Sequence, residues 1–257
     1  MYNDIAIEKY GSADSMILRR RDEAISLDHD EVEIDVQYSG INFADIQMRL
    51  GFYPDAPKRP FVPGYEVSGV VKKIGKNVEG LKEGDPVIAG TYFGGYSSAV
   101  CVKAEQVFPL PPAFSLEQGA ALPVNFFTAH VALFEMARIR KGDRILIECA
   151  SGGVGTLAMQ MAVQKGVEVV GLTTSPHKKA FIESYGATAY TRDEFYADET
   201  LTNFDFILNA SGGKEVKRQM ARFGLTGRIV CMGMNSGVKD GRRTVFRMLK
   251  TVIQTPR

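Results

Sequence analysis

The sequence has no tryptophan and only three cysteines, and no apolar run in it is long enough to cross a membrane. Cys101, Cys149 and Cys231 are odd in number and far apart, which argues against a disulfide framework. A helix that spans a bilayer needs about 20 apolar residues. The opening residues MYNDIAIEKY do not have the pattern of a signal peptide. These absences predict a reduced, soluble protein of the cytoplasm.

Neither sign of charge dominates, since 31 Lys and Arg stand against 30 Asp and Glu. This balance argues against a protein whose whole surface binds nucleic acid. The last part, 214–257, nevertheless contains 11 basic and 2 acidic residues. Arg242, Arg243, Arg247 and Lys250 alternate there with apolar residues, a pattern that could lie on an anionic membrane. The favoured interpretation is an amphipathic helix packed on its own domain, so we expect no retention by anionic vesicles.

With 257 residues the chain can form one large domain or two smaller ones. Short β patterns separated by glycine and proline fill the first part and are typical of a β-barrel domain. Its predicted elements are the strands 31–37, 67–74 and 85–88 and the helix 42–50. After Leu116 predicted strands and helices alternate, which indicates a parallel sheet. We therefore predict an α/β protein with a β-barrel domain over 1–122 and a doubly wound parallel-sheet domain over 123–257.

The second half contains the clearest functional signal, a glycine turn between the predicted strand 144–149 and the predicted helix 154–165. Ala150 stands at the first glycine of a dinucleotide-binding fingerprint, Gly152 lets the backbone approach a pyrophosphate, and Gly155 allows close packing of helix on strand. Free N–H groups and the helix dipole then bind the phosphates. The alternative is a glycine turn that binds no ligand. The remaining predicted elements are the strands 167–172, 204–209 and 228–232 and the helices 116–122, 128–137, 175–185 and 214–223.

The end of the strand 167–172 bears on which nucleotide binds. A site for NAD usually has an acidic residue there, about 20 residues after the glycines, which binds the ribose 2′-hydroxyl. The segment from Gly171 to Lys179 contains no acid but has hydroxyl groups and two lysines, which suit a 2′-phosphate. The alternative is that the lysines only cover the first turn of a surface helix.

Motifs in both halves resemble the quinone oxidoreductase (zeta-crystallin) family of the medium-chain dehydrogenase/reductase superfamily. The run from Gly142 to Gln160 is similar to the family signature, although Val163 stands where the signature prefers a basic residue or serine. The other matching segments are 40–45, 63–71 and 84–87, with 124–130 and 233–234 most similar to the vesicle amine transport protein subgroup. The resemblance covers the whole chain. It implies a GroES-like β domain and a Rossmann domain, with NADPH in the cleft between them.

The resemblance also implies which residues contact the cofactor. These are Asn42, Thr128, Ser151, Gly152, Gly153, Val154, Gly155, Thr173, Thr174, Ser175, Lys178, Tyr190, Asn209, Gly233 and Met234. Lys178 is preferred to Lys179 because it lies three residues after Ser175, as in the family. The implied activity is reduction of a small quinone or another α,β-unsaturated carbonyl by NADPH, in a homodimer. The alternatives are an enoyl thioester reductase and a catalytically weak, membrane- or vesicle-associated protein that keeps the fold.

Four polar residues are the catalytic candidates. Asn42 and Asp45 match family positions beside the nicotinamide and substrate, and their spacing of three places both on one face of a helix. Asn42 could donate a hydrogen bond to an acceptor oxygen and Asp45 could orient it, or each could simply cap the helix. Tyr53 and Tyr65 could donate a proton to a developing enolate or quinol, or could be packing aromatics.

Two features set the chain apart from the zinc enzymes and from longer relatives. Tyr65 stands where the superfamily's zinc alcohol dehydrogenases have a histidine ligand, residues 1–100 contain no cysteine, and the three histidines lack ligand spacing. We therefore predict no metal and a zinc-independent reaction. Related reductases also continue beyond the position of Arg257 and return to the first domain. Whether the chain is naturally short, cut or followed by a tail stays open; without the return segment we expect an exposed sheet edge and weak catalysis.

Overall fold

The computed structural model of this chain describes residues 1–233, which divide into two units, 1–124 and 125–233. The first unit consists mostly of antiparallel strands, and the second alternates strands with helices. Met234 and the basic stretch 242–252, both selected from the sequence, lie outside the described residues. No helix within residues 1–233 is long and apolar enough to cross a bilayer.

A curled antiparallel sheet of the GroES-like type forms the first unit. Its strands are β1 (Tyr2–Ile7), β2 (Met16–Arg21), β3 (Glu31–Ser39), β4 (Glu66–Ile74), β5 (Pro86–Gly90), β6 (Ala99–Lys103) and β7 (Val107–Pro109), and its helices are α1 (Phe43–Leu50) and α2 (Leu116–Gly119). The five-stranded sheet has the order β6-β3-β4-β5-β7, and β1 and β2 form a separate hairpin. Val32, Ile34 and Val67 are fully buried in its core. Glu33 on β3 is also buried, and the ammonium group of Lys72, whose Nζ lies 2.7 Å from Glu33 Oε1, compensates its charge.

The second unit is a parallel Rossmann-type sheet with helices between its strands. Its strands are β8 (Arg144–Ile147), β9 (Glu168–Thr173), β10 (Thr188–Thr191), β11 (Phe204–Asn209) and β12 (Phe223–Cys231), and its helices are α3 (Pro123–His130), α4 (Gly153–Gln164), α5 (Lys179–Glu183), α6 (Arg192–Ala197) and α7 (Lys214–Met220). The strand order is β10-β9-β8-β11-β12. The chain therefore changes direction across the sheet between β8 and β11, and the carboxyl ends of strands at such a switch point are where ligands bind in open α/β sheets.

Both faces of the parallel sheet are buried, as its continuous apolar strands predict. Ile145 and Ile147 of β8 pack in one apolar cluster with Met159 of α4. Leu146, between them in sequence, packs on the opposite face with Phe195 and other apolar residues. This double burial fixes β8 in the centre of the sheet and so fixes the turn that follows it.

Several element boundaries differ from the sequence predictions. The predicted strand 144–149 ends at Ile147, and Cys149 lies in the following turn with a φ of 54°; the placement of Cys149 in a strand was wrong. The predicted helix 128–137 is an α-helix only to His130 and continues as a π-helix over Val131–Met136. The predicted helix 175–185 is a 3₁₀ turn, Pro176–Lys178, followed by α5. The strands β1, β2, β6, β7 and β10 and the helix α6 had not been predicted.

Candidate functional site

The glycine turn between β8 and α4 is built to bring backbone N–H groups to one point. Gly152 is the N-cap of α4, and its N–H donates to the carbonyl oxygen of Cys149 at 2.8 Å. The first intrahelical bond runs from Thr156 N to Gly152 O at 2.8 Å. Gly153, Val154 and Gly155 lie between these two residues. Their N–H groups belong to the first turn of the helix, where no carbonyl group of the helix can accept from them. The start of a 12-residue helix therefore offers donors and the positive end of its dipole to an anion.

Gly155 and Gly152 serve different purposes in this turn. A Cβ on Gly155 would lie 2.8 Å from the Cα of Ala150 and would overlap the carbonyl oxygen of Cys149. Helix α4 can approach the strand this closely only because Gly155 has no side chain. A Cβ on Gly152 would meet only the oxygen of Cys149, at 3.2 Å, and is otherwise in open space. We call the open space beside Gly152 the glycine cradle. A side chain at this position would fill it, and without one it has room for a pyrophosphate.

A pocket of about 200 Å³ lies next to the glycine turn, at the carboxyl ends of β8 and β9. It is lined by Glu148, Cys149, Ser151, Gly152, Leu172, Thr173, Thr174, Lys178 and Arg192. Five of these, Ser151, Gly152, Thr173, Thr174 and Lys178, had been selected from the sequence as cofactor contacts. The other four, Glu148, Cys149, Leu172 and Arg192, had not been selected.

The hydroxyl groups after β9 have unequal roles. Thr173 is buried, and its Oγ1 accepts a hydrogen bond from Ser175 N at 3.1 Å, so this side chain stabilises the turn. Thr174 is exposed and lines the pocket. Ser175 is half-buried and precedes the 3₁₀ turn, where its side chain makes no capping hydrogen bond. Direct contact of Thr173 or Ser175 with a cofactor stays a prediction.

The two neighbouring lysines lie in different surroundings. Lys178 is exposed and lines the pocket. Lys179 Nζ lies 2.9 Å from Oε2 of Glu194 on α6. The charge of Lys179 is therefore already paired. The hydrogen bond from Thr191 N, together with the ammonium group of Lys179, lowers the pKa of Glu194 to about 2. Lys178 is therefore the lysine that the structure places beside the pocket.

Glu148 forms a buried polar network that the sequence analysis missed. Only 1% of this residue is exposed, and its Oε2 accepts from Asn209 Nδ2, Ala210 N and Ser211 N at 3.1, 3.0 and 3.0 Å. Its Oε1 accepts from Ser211 Oγ at 2.7 Å and from Arg192 Nη2 at 2.6 Å. The carboxylate thus ties the ends of β8, β10 and β11 together. An acidic residue within the apolar run ILIECA was the signal available in the sequence, because a buried charge needs partners.

The other predicted cofactor contacts of the second unit lie in several places. Asn209 is fully buried, with its Nδ2 donating to Glu148 and to Gln219. Tyr190 is half-buried and packs against an apolar cluster of the sheet. Thr128 is half-buried on α3, and Gly233 is half-buried just after β12. None of these residues lines the 200 Å³ pocket, and their contacts with a cofactor remain predictions.

In the first unit the candidates Asn42 and Asp45 form the start of α1. Asn42 is its N-cap, and Asn42 N donates to Asp45 Oδ2 at 2.7 Å. Asp45 is buried and also accepts from Gly64 N at 3.2 Å and from Tyr96 Oη at 3.1 Å. Burial raises the pKa of Asp45 in spite of these bonds. Asp45 therefore caps the start of α1, and the catalytic roles of Asn42 and Asp45 stay predictions.

Asn42 is also held from the opposite side by a second buried carboxyl group. Its Nδ2 donates to Glu66 Oε1 at 2.8 Å, and Glu66 Oε2 accepts from Val124 N at 2.7 Å. Only 1% of Glu66 is exposed, and this burial raises the pKa of Glu66. The Asn42 side chain is consequently fixed in one orientation.

The two candidate tyrosines lie together beside these carboxyl groups. The rings of Tyr53 and Tyr65 are 6.1 Å apart and meet edge to face. Burial, together with a hydrogen bond to Tyr53, raises the pKa of Tyr65 well above its ordinary value. The Tyr65 hydroxyl is protonated at neutral pH, as that of an ordinary tyrosine is, and can donate a hydrogen bond. Tyr92, which had not been predicted, adds an exposed ring 6.3 Å from that of Tyr65.

The described residues contain no metal-ligand cluster. Within residues 1–233, no group of three or more His, Cys, Asp or Glu side chains could hold a metal ion. The absence of a metal from the working protein stays a prediction.

Comparison with known proteins gives family matches to both units. Residues 28–112 match the alcohol dehydrogenase GroES-like domain, and residues 153–254 match the family described as zinc-binding dehydrogenase. The chain is 30% identical over 231 residues to a quinone oxidoreductase of Rattus norvegicus, covering 87% of this chain and 70% of the relative.

Two further similarities bear on function. A synaptic vesicle membrane protein VAT-1 homolog of Danio rerio is 30% identical over 98% of this chain, which spans only 54% of that relative. The solved structure of an Escherichia coli quinone oxidoreductase complexed with NADPH superimposes with a TM-score of 0.84 at 27% identity, covering 97% of this chain and 78% of the other.

Proposed function

The chain belongs to the medium-chain dehydrogenase/reductase superfamily, among its quinone oxidoreductase-like members, and from this we propose that it is an NADPH-dependent, zinc-independent reductase of quinones or other α,β-unsaturated carbonyls. The observation that carries the proposal is the pocket after β8 and β9. It combines a glycine cradle with Lys178 and contains no acidic group after β9 that would repel a 2′-phosphate.

The residues of the second unit bind and orient the nucleotide in this proposal. The N-terminus of α4 takes the pyrophosphate, and Thr174 and Lys178 face the phosphorylated ribose. The bound NADPH supplies the hydride. A lysine near a phosphate forms a charge-assisted hydrogen bond, which is about twice as strong as a neutral one. The free 2′-hydroxyl of NADH carries no charge for this lysine to neutralise, so the bond it can form there is weaker.

The residues of the first unit bind the acceptor. The Tyr65 hydroxyl, protonated at neutral pH, donates a hydrogen bond to the acceptor oxygen, where negative charge develops as the conjugated system is reduced. Tyr53 fixes the orientation of Tyr65. Asn42 and Asp45 hold this part of α1 in place through the bonds described above. A conjugated acceptor delocalises the developing charge itself, so the reaction does not need the Lewis acid that alcohol oxidation requires.

Loss of NADPH absorbance over a panel of quinones, enones and enoyl thioesters tests the activity. We expect turnover of quinones or enones with NADPH, and a decrease of about 100-fold in kcat for Tyr65→Phe, since a positioned proton donor contributes at least that much. Tyr38→Phe is the matched control, because Tyr38 is an exposed tyrosine of β3. No NADPH oxidation with any acceptor would refute the proposal. Turnover confined to enoyl thioesters would identify the alternative enzyme.

A second candidate function is association with a vesicle membrane, favoured by the relative named as a synaptic vesicle membrane protein. The residues that would carry it, such as Arg242 and Arg243, are basic and alternate with apolar ones. We expect the chain not to sediment with phosphatidylserine vesicles at physiological salt. Salt-sensitive sedimentation that is lost in the double variant Arg242→Glu/Arg243→Glu would favour the membrane function instead.

A further inference from the structure

Arg192 is the one cation of the second unit's pocket whose position is fixed by a buried partner. It is the first residue of α6 and follows β10 directly. Its Nη2 donates to Glu148 Oε1 at 2.6 Å and to Ser211 Oγ at 3.0 Å. Glu148 is held in turn by three further groups at its Oε2, so the guanidinium rests on an anchor that cannot rotate.

Only part of the Arg192 guanidinium is used by this anchor. Among the contacts of residues 1–233, Nη2 donates to protein acceptors, whereas Nε and Nη1 do not. The side chain is 29% exposed and lines the same pocket as Lys178 and Thr174. A guanidinium that only neutralised Glu148 could be fully buried against the protein. Here its remaining donors are left available to a ligand.

The charges of the pocket then fit a phosphate. The negative charge of Glu148 and the positive charge of Arg192 cancel. The positive charge of Lys178 therefore gives the pocket a net positive charge. A phosphate monoester carries about −1.5 to −2 charges at pH 7. A guanidinium binds such a group through two parallel N–H donors in a fixed fork, and a lysine adds a mobile point charge.

We propose that Arg192 binds the 2′-phosphate of NADPH together with Lys178, and that Glu148 is a positioning residue that sets the Arg192 fork for this contact. The inference rests on the proposed function and adds to it a second, better-ordered determinant of nucleotide choice. Arg192 lies 44 residues from Glu148 in sequence, so the fold, rather than a local motif, creates this contact.

The test compares the dissociation constants of NADPH and NADH in variants of the whole chain. Removing Arg192 alone would leave Glu148 buried without a cation, which is strongly destabilising. The main variant is therefore Glu148→Gln/Arg192→Gln, which removes both charges. Its matched control is Glu215→Gln/Arg218→Gln, because Glu215 and Arg218 form a similar pair at 3.1 Å, with a buried carboxylate and a partly exposed arginine outside the pocket lining. Arg192→Lys keeps the charge and removes only the fork.

We expect the ratio of the NADH to the NADPH dissociation constant to fall about tenfold in the main variant, as the loss of one charge-assisted bond to phosphate predicts. NADH affinity should change little, and the control pair should keep the wild-type ratio. Arg192→Lys should lower the ratio by a smaller factor, and it decides the question if the double variant does not fold. Glu148→Gln alone should also lower the ratio, which a purely structural role would not do.

Three outcomes would overturn the inference. If the main variant keeps both wild-type dissociation constants, or if Arg192→Lys keeps both when the main variant does not fold, Arg192 only neutralises Glu148. The inference is then wrong while the proposed function stands. If both nucleotides weaken equally, Arg192 supports the fold of the pocket and does not contact the phosphate. If the wild-type chain binds neither nucleotide, the proposed function fails and this inference fails with it.

Discussion

Adding a methyl group at Gly155 should destabilise the second unit, because α4 lies directly on backbone atoms there. The Cβ of an alanine would lie 2.8 Å from Cα and 2.9 Å from O of Ala150, and closer still to the oxygen of Cys149. No side-chain rotation can relieve these overlaps, so the helix must move. Overpacking costs about 1–3 kcal/mol, and the better helix propensity of alanine offsets up to about 1 kcal/mol. We expect Gly155→Ala to lower the free energy of unfolding by about 1–2 kcal/mol.

Gly152→Ala is the matched control for this prediction, since it adds the same methyl group three residues away. Its φ of −86° suits alanine, and the new Cβ would meet one oxygen at 3.2 Å. We expect stability within about 0.5 kcal/mol of the wild type. The methyl group would, however, occupy the cradle that a pyrophosphate approaches, so NADPH affinity should fall. Urea unfolding followed by circular dichroism, and titration with NADPH, measure the two effects. The reasoning is refuted if Gly155→Ala is as stable as the wild type, or if Gly152→Ala is the less stable variant.

Three other predictions concern titration, thiol reactivity and metal content. Because burial raises the folded-state pKa of Glu66, its protonated form favours folding. The stability of the wild type relative to Glu66→Gln should therefore be greatest below pH 4.5 and should fall as pH rises through the raised pKa; a pH-independent difference would contradict this. Burial raises the pKa of Cys101 to about 11, so its alkylation rate should rise with a midpoint near that pH, and a midpoint near 9 would count against the described burial. Elemental analysis of purified protein should find no stoichiometric zinc, and one zinc per chain would show that the sequence argument about ligand spacing is wrong.

Local patterns were enough to predict the Rossmann-type unit and its glycine turn. The strand β11 has the predicted bounds, Phe204–Asn209, because four of its six residues are large and apolar and mark the segment as a buried strand. The β8 strand was predicted two residues too long. Glu148 and Cys149 continue the strand pattern by residue type, but the Glu148 side chain turns inward to bind groups at the ends of β10 and β11. Such partners cannot be seen from one strand.

The parts of the candidate site that sequence could not predict depend on contacts between distant segments. Asp45 accepts a hydrogen bond from Tyr96, 51 residues away, and Asn42 donates to Glu66, 24 residues away. The π-helical stretch after α3 had no signal, because its composition is that of an ordinary α-helix. Thr173 was selected for its hydroxyl, yet that hydroxyl accepts from Ser175 N. A residue type at a matching position thus predicts the neighbourhood of a site better than it predicts the partner of each side chain.

The central claim is that the pocket after β8 and β9 selects NADPH, and equilibrium titration of both nucleotides tests it most directly. The wild-type chain, Lys178→Ala and the control Lys179→Ala are compared, because Lys178 lines the pocket whereas Lys179 pairs with Glu194. We predict that the wild type binds NADPH at least about tenfold more tightly than NADH, as one charge-assisted bond implies. Lys178→Ala should lower this preference several-fold, with the remainder due to Arg192, and Lys179→Ala should keep the full preference. Equal affinity of the wild type for the two nucleotides, or an equal loss of both in Lys178→Ala, would contradict the claim.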